Sequence, residues 1–527
     1  MTALAAALGS FLPLLAPLAA EDGGWISSLE DAINSGFEPI ATAVTSVVFY
    51  EVTIGPATFP LIVFWLVAGA TIFTIYFKGI QFRSMRVSWD LVRGKYSRAS
   101  DPGEVTHFQA LASAVSGTVG LGNIAGVAVA VSIGGPGATF WMILAGLLGM
   151  CTKFVECTLG VKYREVHEDG TVTGGPFRYM PVAFAGAGKL VSGLAVGIFA
   201  VALILFGALG GNAFQSNQTY AQAVNVTGGE DSFLASSTAS FIFGLVLAGL
   251  VGIVIIGGVQ SIAKVTSKLV PVMAVIYVAA CLLVIGINAT EVPGAIGRII
   301  EGAFNPDGVA GGAIGVLIVG FQRAAFSNEA GVGSAPIVHS AVKTKHPVSE
   351  GFVALLEPFI DTVIICTMTA LTIVIADVPR YGELIEKSKA GESVSSDNGV
   401  TLTSDSFDSF LPGFDNVLAL AVALFAFSTL ITWSYYTMRA WTTLVGKSAF
   451  KENVFKVVFC VFTVIGAVVD LGSVLDFADA MLFVCAVFNL LALYILLPKV
   501  REEVRSFLRG RETGEIAVVP VEERATT

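Results

Sequence analysis

Charge is what this chain has least of. Of 527 residues, 13% are charged, where a soluble globular protein carries roughly 25%. The remainder is 54% hydrophobic, with a mean hydropathy of +0.78. That balance excludes a soluble fold and points to an all-α integral membrane protein embedded in a lipid bilayer. Lys and Arg are missing altogether before Lys78. The 4 histidines (His107, His167, His339, His346) fall at span ends or in loops, which argues against a His-based metal or haem site within the membrane. The 6 cysteines all fall in hydrophobic spans and form no C-x-x-C pair. They read as buried apolar filler, neither disulfides nor metal ligands. No basic cluster carries the interleaved aromatics of a nucleic-acid binder. No Gly-x-Ser-x-Gly motif and no mid-membrane His base is present, so an intramembrane enzyme such as a protease is not expected. Nothing in the sequence calls for an organic cofactor or an obligate protein partner.

What the chain does have is a glycine-crowded hydrophobic run. Ser113-Ala-Val-Ser-Gly-Thr-Val-Gly-Leu-Gly-Asn-Ile-Ala-Gly126 lies inside an apolar stretch from about Phe108 to Ile133, long enough to span a bilayer. Gly117, Gly120 and Gly122 each cost about 1 kcal/mol of helix propensity against alanine, so an unwound segment is expected. In lipid, freed backbone groups are tolerated only where they line a cavity or are buried in protein. A second copy follows 205 residues later: Asn123-Ile-Ala-Gly-Val-Ala128 matches Asn328-Glu-Ala-Gly-Val-Gly333, with Gly320, Gly331, Gly333 and Pro336 around it. Two interrupted spans in corresponding places mark an inverted-repeat transporter and its binding site.

Spans are expected at about 57–77, 106–133, 137–162, 188–212, 236–258, 262–288, 309–340, 350–377, 413–437, 453–470 and 474–498, eleven in all. Threaded alternately, they put 24 of the 30 Lys and Arg on the cytoplasmic side, as the positive-inside rule requires. The expected topology is a multi-pass plasma (inner) membrane protein with the N-terminus outside and the C-terminus cytoplasmic. Residues 1–20 resemble a signal peptide or hydrophobic anchor. Residues 21–104 hold an outer amphipathic helix (about 27–50), the first span and a basic loop. Residues 105–498 form one ten-helix core of two interlocked repeats, about 105–288 and 309–498. Residues 499–527 are a cytoplasmic tail, disordered past about 511. The largest outer loop, about 378–412, is acidic and Ser/Asp-rich, with room for a short helix.

Several residues could carry chemistry. The amides around Gly120, Leu121 and Gly122, at a half-helix terminus, could hold a carboxylate, helped by the side chains of Thr118 and Asn123. Close helix packing through Gly122 and Gly126 is the competing reading. Carbonyls near Ser116 and Val119, with the hydroxyls of Ser428 and Thr429, could serve sodium; back-bonding to the i−4 carbonyl is the alternative. Arg323, Glu329, Glu357 and Asp361, with Lys153 and Glu156, are intramembrane charges with partners expected. Lys153 and Glu156 could pair at i,i+3. Structural ion pairing or exposure to a wet vestibule competes here with proton coupling through Glu329 or Asp361. Trp433 could line a pocket or belong to an interfacial belt. Asn212, Gln215 and Asn217 end the fourth span.

Gly117–Gly126, Thr173-Gly-Gly-Pro-Phe-Arg-Tyr179, Phe326-Ser-Asn-Glu-Ala-Gly-Val-Gly-Ser-Ala-Pro336 and Phe425-Ala-Phe-Ser-Thr…Trp433-Ser-Tyr-Tyr436 together resemble the alanine/glycine:cation symporter family, over about residues 30–500. The resemblance implies a leucine-transporter-type 5+5 inverted repeat with one extra N-terminal transmembrane helix, and import of alanine or glycine with Na+. It implies that the Leu121 and Gly122 amides hold the substrate carboxylate. Carbonyls of Ser116, Val119 and Phe425, with the Ser428 and Thr429 hydroxyls, would hold sodium. Gln215, Phe326 and Trp433 would line the pocket, with Asn328 nearby. Ala324 and Ala325 stand where relatives vary, which leaves alanine against glycine open.

Overall fold

The computed structural model describes residues 38–525 apart from 55–56, 169, 306–311, 391–393, 395 and 470–471. The signal-like stretch 1–20 and most of the apolar face expected over 27–50 (Leu29, Ile33, Phe37) lie outside the described residues. The helix Glu38–Val48 continues that segment.

Among the described residues, seven helices are long and apolar enough to cross a membrane, and eight when one bent pair counts as a single span. Further helices stand at the three other expected places, Leu61–Tyr76, Gly312–Asn328 and Ala449–Val468. Among the described residues, strands are confined to two short hairpins.

The bent pair is the glycine-crowded run. His107–Thr118 and Leu121–Gly134 meet at 61°. A reciprocal cap starts the first half: Gln109 N–H donates to Thr106 Oγ1 and Thr106 N–H to Gln109 Oε1. The half ends where Val119 and then Gly120 turn extended. The second copy breaks more widely. Gly312–Asn328 ends, Glu329, Gly331 and Gly333 all adopt positive φ, and Ala335–His339 resumes with Pro336 in its first turn. Two further helices loosen into π-type turns, Leu209–Ala213 and Phe359–Cys366. No sequence signal announces these, because a π-type turn arises where packing, not composition, pulls one extra residue into the coil.

The ends of the chain differ from expectation. The outer loop folds as two helices, Pro379–Lys389 and Ser396–Asp408. The second lies on the half-helix after the first break, where a Cβ on Gly399 would fall 2.4 Å from Ala125 O, and it also meets Phe214–Val226, whose Gln222 Nε2 donates to Ser404 Oγ at 3.1 Å. At the other end, Gly472–Thr513 is one helix running through Pro498. Between 512 and 525 the tail is held by main-chain pairing, where disorder was expected. Val519 N–H donates to Lys95 O at 2.8 Å, Ala525 N–H to Ser97 O at 3.0 Å and Ala99 N–H to Glu523 O at 3.0 Å. Polar composition suggested disorder, but main-chain pairing with the basic loop does not register in composition.

Candidate functional site

The first break packs against the long helix Asp415–Val445. Ser116, one turn before the break, is the joint. Its carbonyl accepts from Thr429 Oγ1 at 3.1 Å and from Ser428 Oγ at 3.4 Å. Its own hydroxyl donates to Ser428 O at 2.7 Å and accepts from Thr432 Oγ1 at 3.0 Å. Ser428 Oγ also donates to Phe425 O at 2.9 Å. Four of the five residues expected around a cation therefore share one seam of neutral oxygens. Val119, the fifth, is fully buried beside it. Here the back-bonding alternative fails for Thr429, whose hydroxyl reaches across to the other helix. Hard neutral oxygens drawn from two elements are a donor set that suits an alkali cation.

Gly120 sits where a side chain cannot. A Cβ there would lie 2.7 Å from Thr429 Oγ1 and 3.4 Å from Gln215 Oε1. Gly122 and Gly126 are different. A Cβ on Gly122 would meet only the Phe326 ring and Ser327 Cα, at 3.6 Å or more, and one on Gly126 meets nothing within 4 Å. Tight helix packing is thus not what those two glycines serve. The single tight turn Leu121–Asn123 leaves its leading amides without partners in the turn.

Around this turn stand the pocket candidates. Gln215 follows the π-type turn and donates to Gly210 O at 3.2 Å, while its buried Oε1 has no partner. Trp433 is 1% exposed, so it is no belt residue, and its Nε1 donates to Gly117 O at 3.3 Å. Phe206, absent from the expectations, joins the group: its ring lies 4.6 Å from Trp433 and 6.2 Å from Phe326. Thr118 turns back to Ala114 O and Val115 O.

Asn123 and Asn328 spend their amides inside the protein. Asn123 Oδ1 accepts from Gly120 N–H at 2.9 Å, holding the break in shape. Its Nδ2 donates to Asp361 Oδ1 at 2.6 Å and to Ser327 Oγ at 3.0 Å. Asp361 also accepts from Ser327 and Thr362. Asn328 donates to Thr362 Oγ1 at 2.9 Å and accepts from Ala330 N–H at 3.0 Å.

The remaining charges form a separate knot. Lys153 pairs with Glu357 at 3.1 Å, not with Glu156. Glu156 accepts from Asn489, which in turn accepts from Tyr179. An i,i+3 pair was the local option, but the helix Pro347–Ala376 brings a better placed carboxylate across. Glu329 accepts from Ser334, and Arg323 interacts with Asp476 and Asp479. His107 and His339, set aside as span-end residues, are buried and both reach Glu350. Glu357 and Asp361, four apart, already share one helical face in the sequence; the missed signal is Glu350, seven residues before Glu357 on the same stripe.

Comparison with known proteins adds three findings. Residues 43–520 match the profile of the sodium:alanine symporter family. The sodium/alanine symporter AgcS of Methanococcus maripaludis is 35% identical over 84% of this chain and 93% of its own. The probable sodium/glutamine symporter GlnT of Bacillus subtilis is 32% identical over 86% and 89%. A crystal structure of MhsT in complex with L-phenylalanine superposes with a TM-score of 0.52 at 16% identity, covering 75% of this chain and 89% of that one. That likeness establishes a shared fold.

Proposed function

The chain belongs to the sodium:alanine symporter family, and from that premise we propose that it imports alanine or glycine together with Na+ across the plasma (inner) membrane by alternating access. It is a multi-pass transporter that couples an amino acid to a cation, not an enzyme. The proposed architecture is the 5+5 inverted repeat with one extra leading helix and eleven spans. Its support is that each interruption opens a set of five helices at the expected span positions.

One observation carries the cation part: the hydroxyls of Ser428 and Thr429 converge on the carbonyl of Ser116 beside the break. Sodium travels as cargo at this seam, held by Ser116, Phe425, Ser428, Thr429 and Val119. Its arrival draws helix Asp415–Val445 onto the broken segment and fixes the turn Leu121–Asn123. The Leu121 and Gly122 amides then receive the substrate carboxylate. The unpartnered Gln215 Oε1 accepts from the substrate ammonium. Phe326, Trp433 and Phe206 close around a small side chain, while Thr118, Asn123 and Asn328 shape the floor. Each ligand favours the other, as coupling demands. Inward movement of one charge across 100 mV supplies about 2.3 kcal/mol.

Uptake of labelled alanine and glycine into proteoliposomes tests this. An inward sodium gradient drives accumulation, and replacing sodium by potassium abolishes it. Accumulation driven by an imposed pH gradient in sodium-free buffer would instead select proton coupling through Glu329 or Asp361.

A further inference from the structure

The helix Pro347–Ala376 holds both interrupted helices twice over. At mid-depth, Asp361 meets Asn123 of the first break and Ser327 at the end of the helix that leads into the second. At the cytoplasmic end, Glu350 repeats the arrangement. Its Oε2 meets Nδ1 of His107, the first residue of one half-helix. Its Oε1 meets Nδ1 of His339, the last residue of the other, at 2.6 Å. All three side chains are 1% exposed or less.

The adjoining backbone is paired as well. Glu104 N–H and Val105 N–H donate to Ala341 O at 2.7 and 3.2 Å, and Lys343 N–H donates to Val105 O at 2.8 Å. Arg164 staples the same two segments. Its guanidinium donates to Ser340 O, Pro102 O and Thr344 O at 2.8 Å each, and to Val342 O.

We propose that Glu350 is a positioning residue for transport, clamping the cytoplasmic halves of both interrupted helices so that they swing as one piece when the site opens inward. The proposal rests on the alternating-access reading above. Ala335–His339 has 5 residues, too few to persist as a helix without partners. Separation of the two halves would break the main-chain pairs and strip Glu350 and Arg164 of their partners on one side, among groups with little water to turn to. A carboxylate has one oxygen for each histidine. An amide at this place offers a single acceptor, so it can serve two ring donors only by sharing it.

Two measurements on the full-length protein separate the clamp from the transport reading: sodium-dependent binding of labelled alanine in detergent, and uptake into proteoliposomes. Absence of sodium-dependent binding in the native protein would remove the functional reading itself. Given that binding, Glu350→Gln is expected to keep the affinity within about twofold while initial uptake falls about tenfold. A disulfide formed in Val105→Cys/Val342→Cys joins the same two segments. With Glu350 present, oxidation leaves uptake intact. In the Glu350→Gln background, oxidation restores uptake and reductant removes it again. Native uptake in Glu350→Gln, or reversible loss of uptake on oxidising the pair beside an intact Glu350, overturns the clamp. Should Glu350→Gln fail to fold, the cysteine pair decides alone.

Discussion

The seam at Ser116 and the knot at Glu350 and Glu357 are both buried and both polar, yet they are built from opposite materials. At the seam every group is neutral, a hydroxyl or a carbonyl, and each bond contributes about 1 kcal/mol net. In the knot, carboxylates, histidines and a lysine sit together with side chains 0–1% exposed. Parting such a pair strands a charge in low dielectric at a cost of about 3–5 kcal/mol. The seam joins the first broken helix to Asp415–Val445. The knot joins that same broken helix to the second one, to Ala138–Lys162 and to Pro347–Ala376. On the proposed alternating-access cycle, the contacts that open are the cheap ones, and the contacts that stay closed carry charge.

The largest effect should therefore come from the knot. Lys153→Met leaves Glu357 facing only His339, at 3.7 Å. The variant should lose about 3–5 kcal/mol of stability, read as a lower thermal midpoint in detergent or as loss of folded yield. Adding Glu357→Gln should recover part of that loss, because the stranded charge goes with it. A midpoint unchanged in Lys153→Met would mean that the pair is solvated and the contrast between the two regions is false.

At the seam the effects should be smaller and should fall on sodium instead of on folding. Gly120→Ala drives a methyl toward Thr429 Oγ1 at 2.7 Å, an overpacking that costs about 1–3 kcal/mol. Sodium-dependent uptake should collapse, while Gly126→Ala, with open space around it, should behave as native. Thr429→Ala removes one hydroxyl of the proposed cation site, a contact of about 1 kcal/mol. The sodium concentration for half-maximal uptake should rise several-fold, with the thermal midpoint almost unmoved. Unchanged sodium dependence in Thr429→Ala would take that residue out of the cation site.

The two regions also differ in how well the sequence displays them. Seam and breaks were legible, because glycines in an apolar run and Ser-Thr pairs in a span are local anomalies. Ser116, Ser428 and Thr429 could be named from position alone, and both interruptions fall where the paired Asn-x-Ala-Gly-Val motifs stand. The knot was not legible. Lys153 had a carboxylate at i+3 on its own helix, and only the tertiary structure shows that it takes Glu357, 204 residues away. His107 and His339 fall at helix ends, where sequence alone suggests wet surroundings. Glu350 stands at the first position of an expected span and was not among the charges singled out. Phe206 carries no signal among so many apolar neighbours, and its role follows from the π-type turn just after it.

A third kind of contact puts the contrast to its gentlest test. Residues 519–525 pair with 95–99 through main-chain bonds. The ion pair there, Arg98 with Glu523, is 56% exposed on both sides and adds little. The link from this strap to the knot is one bond, Ser97 Oγ to His107 Nε2 at 2.6 Å. Deleting residues 516–527 should leave uptake within about twofold and stability within about 1 kcal/mol, as expected of solvent-screened contacts. Hydrogen exchange at the Ala99 amide should nevertheless rise, since its N–H loses its acceptor, Glu523 O. If the deletion instead slowed uptake as far as Glu350→Gln does, His107 would be held as much by the strap as by Glu350. The boundary of the rigid piece would then lie at the chain's end and not at the buried charges.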